Sequence, residues 1–287
     1  MSDIKIFAFA DEASANIDEQ IVAMKKNGLD GLEIRNVDGT NISKITIEKA
    51  KEVRKKMDDA GLITWSMGSP IGKIDIEKDD FAAHLDELKH TLELADILGA
   101  KNLRMFSFFI PKDKNPDDYR NEVIDRLGKF VETAKGSGVV LCHENEKGIY
   151  GDTAERCLDI LNAVPELSAI FDPANFIQCG VDTKMAWEML GSKIKYLHIK
   201  DALADGHVVP AGEGIGNIPY IVEDFIKKGG NSFTVEPHLT VFAALKNLER
   251  EGDEIKVGLA KRFPTKPDAF DFACQTFKKI AEEAACK

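Results

Sequence analysis

The chain has 287 residues, the size of two ordinary domains or of one large barrel. Hydrophobic residues make up 44% of the sequence and charged residues 30%, which excludes a disordered or collagen-like chain and allows a full-sized core. With 38 Lys and Arg against 49 Asp and Glu the net charge is -11, so the protein repels phosphate backbones and anionic lipid, and we expect neither nucleic acid nor a membrane as a partner.

The sequence shows neither the pattern of a targeting signal nor a closely spaced pair of cysteines. Residues Met1 to Ala10 hold no basic segment followed by a long apolar stretch, and no apolar run approaches the roughly 18 residues of a membrane span. The five cysteines are scattered and include no Cys-x-x-Cys pair, which favours reduced thiols. We therefore expect a cytoplasmic protein.

Short runs of β-branched and aromatic residues alternate with longer amphipathic segments along the whole chain. The short runs predict eight strands, at Ile4–Ala10, Gly31–Arg35, Ile63–Gly68, Asn102–Phe108, Val139–Asn145, Ala169–Asn175, Tyr196–Asp201 and Phe233–Leu239. The longer segments predict helices at Ile17–Asn27, Ile45–Ala60, Phe81–Leu98, Tyr119–Lys135, Thr153–Ala163, Thr183–Leu190, Ile218–Lys228 and about Ala269–Ala284.

Strand and helix alternating eight times predict a parallel sheet, and eight units are the number at which such a sheet closes on itself. The favoured fold is α/β, a single (β/α)8 TIM barrel that occupies residues 1–287 as one domain. The alternative is an open doubly wound sheet. However, the turn after the first strand, Ala8 to Ser14, lacks the glycines that a dinucleotide-binding turn needs.

One irregular segment interrupts the alternation. Leu239–Pro267 is charged, loop-like and long for a connection between a strand and the next helix. An insertion after the eighth strand would lie at the face where barrel enzymes hold their active sites. We expect it to cover the barrel mouth or to contact a neighbouring subunit.

Polar residues follow the predicted strands at the ends where a barrel carries its chemistry. The set comprises Glu33 and Arg35, Arg104, His143 to Glu146, Asp172 and Asn175, His198, Lys200 and Asp201, and Glu236 and His238. A single charged residue at a strand end usually faces water. Because four neighbouring strands each supply a metal-compatible side chain, a functional site is the better interpretation.

Glu144, Asp172, His198 and Glu236 are the predicted metal ligands. Three carboxylates and one imidazole at one barrel mouth would repel one another without a cation, so a divalent ion is the simplest compensation. Oxygen ligands with one nitrogen suit Mn²⁺, Mg²⁺, Co²⁺ or Zn²⁺. Such an ion could polarise a substrate carbonyl, and a nearby carboxylate could remove the adjacent C–H proton.

Further residues are predicted to bind the substrate. The two-residue period of a strand places Glu146 on the face of Glu144, Lys200 on that of His198, and His238 on that of Glu236. Arg35, Arg104 and Lys200 could hold hydroxyl or phosphate groups, and Asn175 follows the sixth strand at the same end. By the same period His143 falls on the opposite face, where a packed structural histidine is the simpler interpretation.

The strand-end motifs resemble those of the xylose isomerase-like TIM-barrel superfamily. They are Leu-Cys-His-Glu-Asn-Glu, Phe-Asp-Pro-Ala-Asn, His-Ile-Lys-Asp-Ala, Gly-Glu-Gly and Val-Glu-Pro, and the resemblance runs from Phe7 to the last helix. That superfamily includes sugar isomerases and epimerases, inosose dehydratases, hydroxypyruvate isomerases and endonuclease IV. The resemblance implies the same four metal ligands and a homo-oligomer. It also implies catalytic roles for Glu144 and Glu236 as acid and base around an enediolate.

Two positions depart from the ketose 3-epimerase branch. Asn175 stands where that branch has a substrate-binding histidine, and Ala204 where it has an arginine. The predicted function is therefore broader, namely a divalent-metal-dependent isomerase or epimerase acting on a small sugar or sugar-like polyol.

Three alternatives remain open. A lyase or dehydratase on a keto-sugar or keto-inositol would need the same metal and base, with Glu146, His238 or Lys200 as an acid near the leaving group. An apurinic-site endonuclease would need more strand-end histidines than a chain with six His and a net charge of -11 supplies. A sugar-binding module without turnover is possible because fold does not guarantee activity.

Overall fold

Eight parallel strands form a closed barrel in the computed structural model, which describes residues 4–241, 257 and 262–287. The barrel strands, here β1 to β8, are Lys5–Ala8, Gly31–Ile34, Ile63–Met67, Asn102–Met105, Val140–Glu144, Ser168–Phe171, Ile194–Ile199 and Ser232–Val235. Each strand pairs with its neighbours in chain order, and β1 closes the ring by pairing with β8 from Lys5 opposite Ser232 to Ala8 opposite Val235. The predicted TIM barrel is confirmed, and the doubly wound alternative is wrong.

Helices pack outside the strands, as the amphipathic segments predict. Their bounds, α1 to α9, are Ile17–Lys26, Ile47–Ala60, Phe81–Leu98, Arg120–Ala134, Ala154–Ala163, Pro173–Gln178, Thr183–Leu190, Ile218–Lys227 and Lys266–Ala285. Side-chain caps fix several starts. The Asp80 carboxylate accepts hydrogen bonds from two amides of the first turn of α3, and the Thr153 hydroxyl accepts one from the amide of Arg156 at the start of α5.

The end of the sixth strand differs from its prediction. A continuous strand was expected over Ala169–Asn175, but β6 ends at Phe171 and α6 begins at Pro173. The Asp172 carboxylate caps α6 by accepting a hydrogen bond from the amide of Asn175 at 3.0 Å. Because proline suits the first helical position and aspartate suits the cap before it, the Asp-Pro pair starts a short helix here.

A loop after β7 is held by one carboxylate. Asp201 accepts hydrogen bonds from the amides of Gly212, Gly214 and Gly216 at 2.9, 3.1 and 2.9 Å. A Cβ atom at position 214 would lie 2.3 Å from Asp201 Oδ1, so this close approach requires glycine. The Gly-Glu-Gly motif therefore shapes a loop at the end of the barrel where the strand-end residues collect.

Most of the predicted insertion, Leu239–Pro267, lies outside the described residues. Of its described part, Leu239 is buried, Val257 forms a bridge with Val208, and Pro267 belongs to the first turn of α9. Whether the insertion covers the mouth therefore stays a prediction. Across the described part of the chain, the helices are too short or too polar to span a bilayer.

Candidate metal centre

Four neighbouring strands bring the predicted ligands together. Glu144 is the last residue of β5, His198 lies near the end of β7, and Asp172 and Glu236 directly follow β6 and β8. All four side chains are buried, and one ligand atom from each lies within 4.8 Å of the others. The barrel geometry therefore brings together the set that the sequence predicts.

The imidazole of His198 points its Nδ1 atom at the three carboxylates. Nδ1 lies 2.8 Å from Glu144 Oε1, 3.5 Å from Glu236 Oε2 and 4.0 Å from Asp172 Oδ2. Ligands that each lie about 2.1 Å from a metal ion are about 3 Å apart when adjacent and about 4 Å apart when opposite. The spacing of these four groups fits a single divalent ion.

One carboxylate oxygen of this set is compensated by an ammonium group. Asp172 Oδ2 is buried and lies 2.8 Å from Lys200 Nζ, without a well-directed hydrogen bond. The four residues fit a metal ion because three carboxylates and one imidazole nitrogen converge at the spacing given above.

Three cations surround the carboxylates. Lys200 Nζ lies 3.0 Å from Glu236 Oε2, Arg35 donates to Glu236 Oε1 at 2.9 Å, and Arg104 donates to Glu144 Oε2 at 3.2 Å. Six buried carboxyl groups are described in this region, at Asp11, Glu12, Glu33, Glu144, Asp172 and Glu236. Burial raises the pKa of Glu12 to about 8, so this group is mostly protonated at neutral pH. A divalent ion would be attracted by the negative charge of the carboxylates among the proposed ligands.

The ionisation of the carboxylates follows these contacts. Burial raises the pKa of Asp172 to about 7, because repulsion from Glu236 and Glu144 adds to it and the attraction of Lys200 offsets only part. Burial also disfavours the charged form of Glu144, but His198 and Arg104 outweigh it and lower its pKa to about 2. Lys200 and the nearby histidines likewise hold the pKa of Glu236 well below its usual range.

The ring of Phe9 forms an apolar wall beside the ligands. Its centroid lies 5.3 Å from that of His198, with the rings nearly perpendicular. The guanidinium groups of Arg35 and Arg104 lie 4.4 and 4.9 Å from the same centroid. These cation–π contacts orient both arginines toward the carboxylates.

Four of the predicted substrate-binding residues lie against the proposed metal ligands. Arg35 and Arg104 are buried against the glutamates, and Lys200 lies between Asp172 and Glu236. The amide of Asn175 donates to the carbonyl of Asn145 at 2.9 Å and lies 3.4 Å from Glu144 Oε1.

The remaining two differ in burial. Glu146 is partly exposed and pairs with Lys73 at 2.9 Å, whereas His238 is buried with its Nε2 atom 3.4 Å from both Glu12 and Glu236. Their roles toward a substrate stay predictions.

Sequence reasoning left three buried carboxylates without a role. Asp11 and Glu12 lie in a short 3-10 helix, Ala10–Glu12, just after β1 and contact Arg35 at 2.9 and 3.2 Å. Glu33 accepts a hydrogen bond from His198 Nε2 at 3.0 Å. A search for polar residues after the first predicted strand, as was done for the other strands, would have identified Asp11 and Glu12. The partner of Glu33 depends instead on packing across the barrel interior.

Comparison with solved structures supports the fold. The chain superposes on L-ribulose 3-epimerase with a TM-score of 0.75 and 20% identity, covering 100% of this chain and 96% of that one. It also superposes on the IOLI protein, solved with a bound zinc atom, with a TM-score of 0.75 and 16% identity over 98% and 99% of the two chains. At such identities the likeness concerns the fold alone.

Sequence comparison adds a curated relative and a family. The chain is 24% identical over 192 residues to inosose dehydratase of Mesomycoplasma hyopneumoniae strain J, which covers 65% of this chain but only 62% of that protein. A family model described as "Xylose isomerase-like TIM barrel" matches residues 21–254. Because that match takes in most of the sequence, and the barrel has the expected topology, the chain belongs to the xylose isomerase-like TIM barrel family.

Proposed function

We propose that this chain is a divalent-metal-dependent isomerase or epimerase that acts on a small sugar or sugar-like polyol. The observation that carries the proposal is the pairing of two buried glutamates around one imidazole and one guanidinium. Arg104 Nη1 lies 3.2 Å from Glu144 and 3.9 Å from Glu236, and His198 Nδ1 also faces both. The proposed partner is a small-molecule sugar, and the net charge of -11 disfavours nucleic acid and anionic membrane surfaces.

Glu144, Asp172, His198 and Glu236 would hold the metal, whose chemistry is to polarise a substrate carbonyl and acidify the neighbouring C–H bond. Glu144 and Glu236 carry lowered pKa values and are ionised at neutral pH, so either is ready to accept that proton. In an epimerase the other glutamate then delivers a different proton, taken up from solvent, to the opposite face of the same carbon, while the first glutamate later releases its proton to solvent; in an isomerase the proton is delivered to the neighbouring carbon. A glutamate that starts ionised must first take up a proton before it donates one.

Lys200 stabilises the charge that develops in this step. Burial opposes its charged form, but attraction to Asp172, Glu236 and Glu144 raises its pKa above the ordinary value. It is therefore an ammonium at neutral pH, with its Nζ atom between two of the proposed ligands. Such a fixed donor would stabilise an enediolate oxygen because it is already oriented before the reaction.

Dehydration is the second candidate, and the curated relative favours it because it is an inosose dehydratase. A dehydratase forms the same enediolate and then expels a hydroxyl group from the adjacent carbon. That step needs a proton donor near the leaving oxygen, for which Glu146, His238 and Lys200 are the candidates. The two reactions thus share residues and differ only in the fate of the enediolate.

A panel of keto-sugars and keto-inositols in D₂O tests the proposal. The protein would be loaded in turn with Mn²⁺, Mg²⁺, Co²⁺ and Zn²⁺, and proton NMR would follow stereochemistry, deuterium at carbon and loss of water. We expect deuterium in the product, since the glutamate that donates the returning proton takes it from solvent. Glu144→Gln and Glu236→Gln should each slow turnover by about 10²-fold or more.

The matched control is Glu52→Gln, which changes an exposed glutamate on α2 and should keep wild-type activity. An unlabelled product would contradict proton transfer through the glutamates. Full activity of both active-site variants would move the acid and base elsewhere. Loss of water without change of stereochemistry would select the dehydratase.

A further inference from the structure

A buried hydrogen-bonded chain runs across the barrel interior behind the candidate metal centre. Ser66 Oγ on β3 lies 3.0 Å from the hydroxyl of Tyr196 on β7, which donates to Glu33 Oε1 at 2.9 Å. Glu33 Oε2, on β2, lies 3.0 Å from His198 Nε2. These four side chains are essentially inaccessible to solvent.

Burying a carboxylate in a barrel core destabilises the fold unless hydrogen bonds and a nearby positive group compensate it. Packing alone would be better served by an apolar residue at position 33. The two oxygens of Glu33 are divided between Tyr196 and His198. The arrangement therefore points to a task that needs a carboxylate acceptor behind the imidazole.

We propose that Glu33 is a positioning residue, which holds the hydrogen of His198 Nε2 and so presents the Nδ1 atom to a metal ion among Glu144, Asp172 and Glu236. The inference rests on the metal-dependent function proposed above. Glu33 faces the other ring nitrogen and is fully buried, so it acts through His198 and does not touch the substrate. Carboxylates that accept from a ligating imidazole fix its orientation and raise its basicity.

Tyr196, which lies two residues before His198 on β7, also holds Glu33 in place. Its hydroxyl keeps Glu33 Oε1 occupied, and its ring contacts Trp65 edge-on with centroids 5.8 Å apart. Removing the hydroxyl would leave the Glu33 charge in place but free its carboxylate to rotate. The effect on His198 should therefore be smaller than that of removing the charge.

The test measures the dissociation constant of Zn²⁺ alone, by competition with a chromophoric chelator. The proteins are the wild type, Glu33→Gln, Tyr196→Phe and Glu87→Gln. Glu33→Gln should bind zinc about 10- to 100-fold more weakly, and Tyr196→Phe should fall between it and the wild type. Glu87→Gln is the matched control, because Glu87 also faces a histidine, His84, but in α3. It should bind zinc like the wild type.

The ¹H and ¹⁵N resonances of the His198 ring in the zinc-loaded protein give a second readout that a purely structural role would not move. The Nε2 proton should shift upfield in Glu33→Gln, because its acceptor changes from a carboxylate to a neutral amide, and less in Tyr196→Phe. A folded Glu33→Gln protein with wild-type zinc affinity would overturn the inference and leave the metal site standing. A folded wild type without zinc affinity would overturn both. If Glu33→Gln does not fold, wild-type affinity and an unshifted resonance in Tyr196→Phe would overturn the inference.

Discussion

Arg35 holds three carboxylates at the mouth of the barrel. Its guanidinium donates to both oxygens of Asp11 at 2.9 Å, to Glu12 at 3.2 Å and to Glu236 at 2.9 Å. Its side chain is 0% exposed, so solvent screens none of these contacts. Burial raises the pKa of Glu12 to about 8 and outweighs the attraction of Arg35, while repulsion from Glu236 and Asp11 adds to the shift. Arg35 thus sets the position of a proposed catalytic base from within the protein.

Replacing Arg35 with alanine should destabilise the fold because it leaves buried carboxylates without their counterion. We expect Arg35→Ala to lower the free energy of unfolding by about 3 to 5 kcal/mol, measured by urea denaturation at neutral pH. The control is Arg54→Ala, which removes an exposed ion pair with Asp58 and should cost about 0.5 kcal/mol or less. Equal losses in the two variants would contradict a compensating role for Arg35.

The proposed ligands could be found from the sequence because their position depends only on where each apolar run ends. The four proposed ligands lie at the C-terminal ends of β5 to β8, and closure of the sheet into a barrel brings their side chains together. The pairing of Glu33 with His198 could not be found in this way. It joins β2 to β7 across the barrel interior, and strand ends alone do not tell which side chains meet there.

Sequence patterns locate the end of a helix well where a capping residue marks it. The predicted helix Phe81–Leu98 matches α3, which has Asp80 at its start and Gly99 with φ of 74° at its end. The sequence pattern did not predict the six-residue helix α6, because its residues continue the apolar run of β6. So short an element spans less than two turns, and periodicity cannot identify it.

Two residues of helix α3, His84 and Glu87, lie close to each other and also form hydrogen bonds to residues outside the helix. His84 Nε2 accepts the amide hydrogen of Gly72 at 2.7 Å, which leaves Nδ1 to face Glu87 Oε2 at 3.5 Å. Glu87 also accepts a hydrogen bond from Ser43 at 2.6 Å. His84 outweighs the effect of burial and, together with Ser43, lowers the pKa of Glu87 to about 2.

This pair predicts a pH-dependent contribution to stability. A depressed carboxyl pKa stabilises the fold above the unfolded-state pKa of about 4.5, and the contribution disappears as the pH falls toward about 2. Glu87→Gln should lower the free energy of unfolding by about 1 to 2 kcal/mol at pH 7, after allowance for partial solvent screening. The difference from wild type should shrink between pH 4.5 and pH 2 in urea titrations. A difference that stays constant over this range would contradict the assignment.

At the scale of the whole molecule, metal binding should raise the free energy of unfolding, because the four proposed ligands come together only in the closed barrel. An ion that binds the folded state at 100 times its dissociation constant adds about 2.7 kcal/mol to the free energy of unfolding. For a chain of this size that corresponds to a rise in Tm of roughly 5 °C.

Differential scanning calorimetry with Mn²⁺, before and after addition of EDTA, measures this rise. Mn²⁺ is the better probe because the unfolded chain, with five cysteines and six histidines, binds it more weakly than zinc. Asp172→Ala and His198→Ala should lose the Mn²⁺-dependent rise, while Asp58→Ala, a change on the exposed face of α2, should keep it. Losing the rise only in the ligand variants would assign the stabilising ion to this centre, because general salt effects act on all the proteins alike. An equal rise in every variant would mean that manganese binds elsewhere on this acidic protein, and the proposed ligand set would then be wrong.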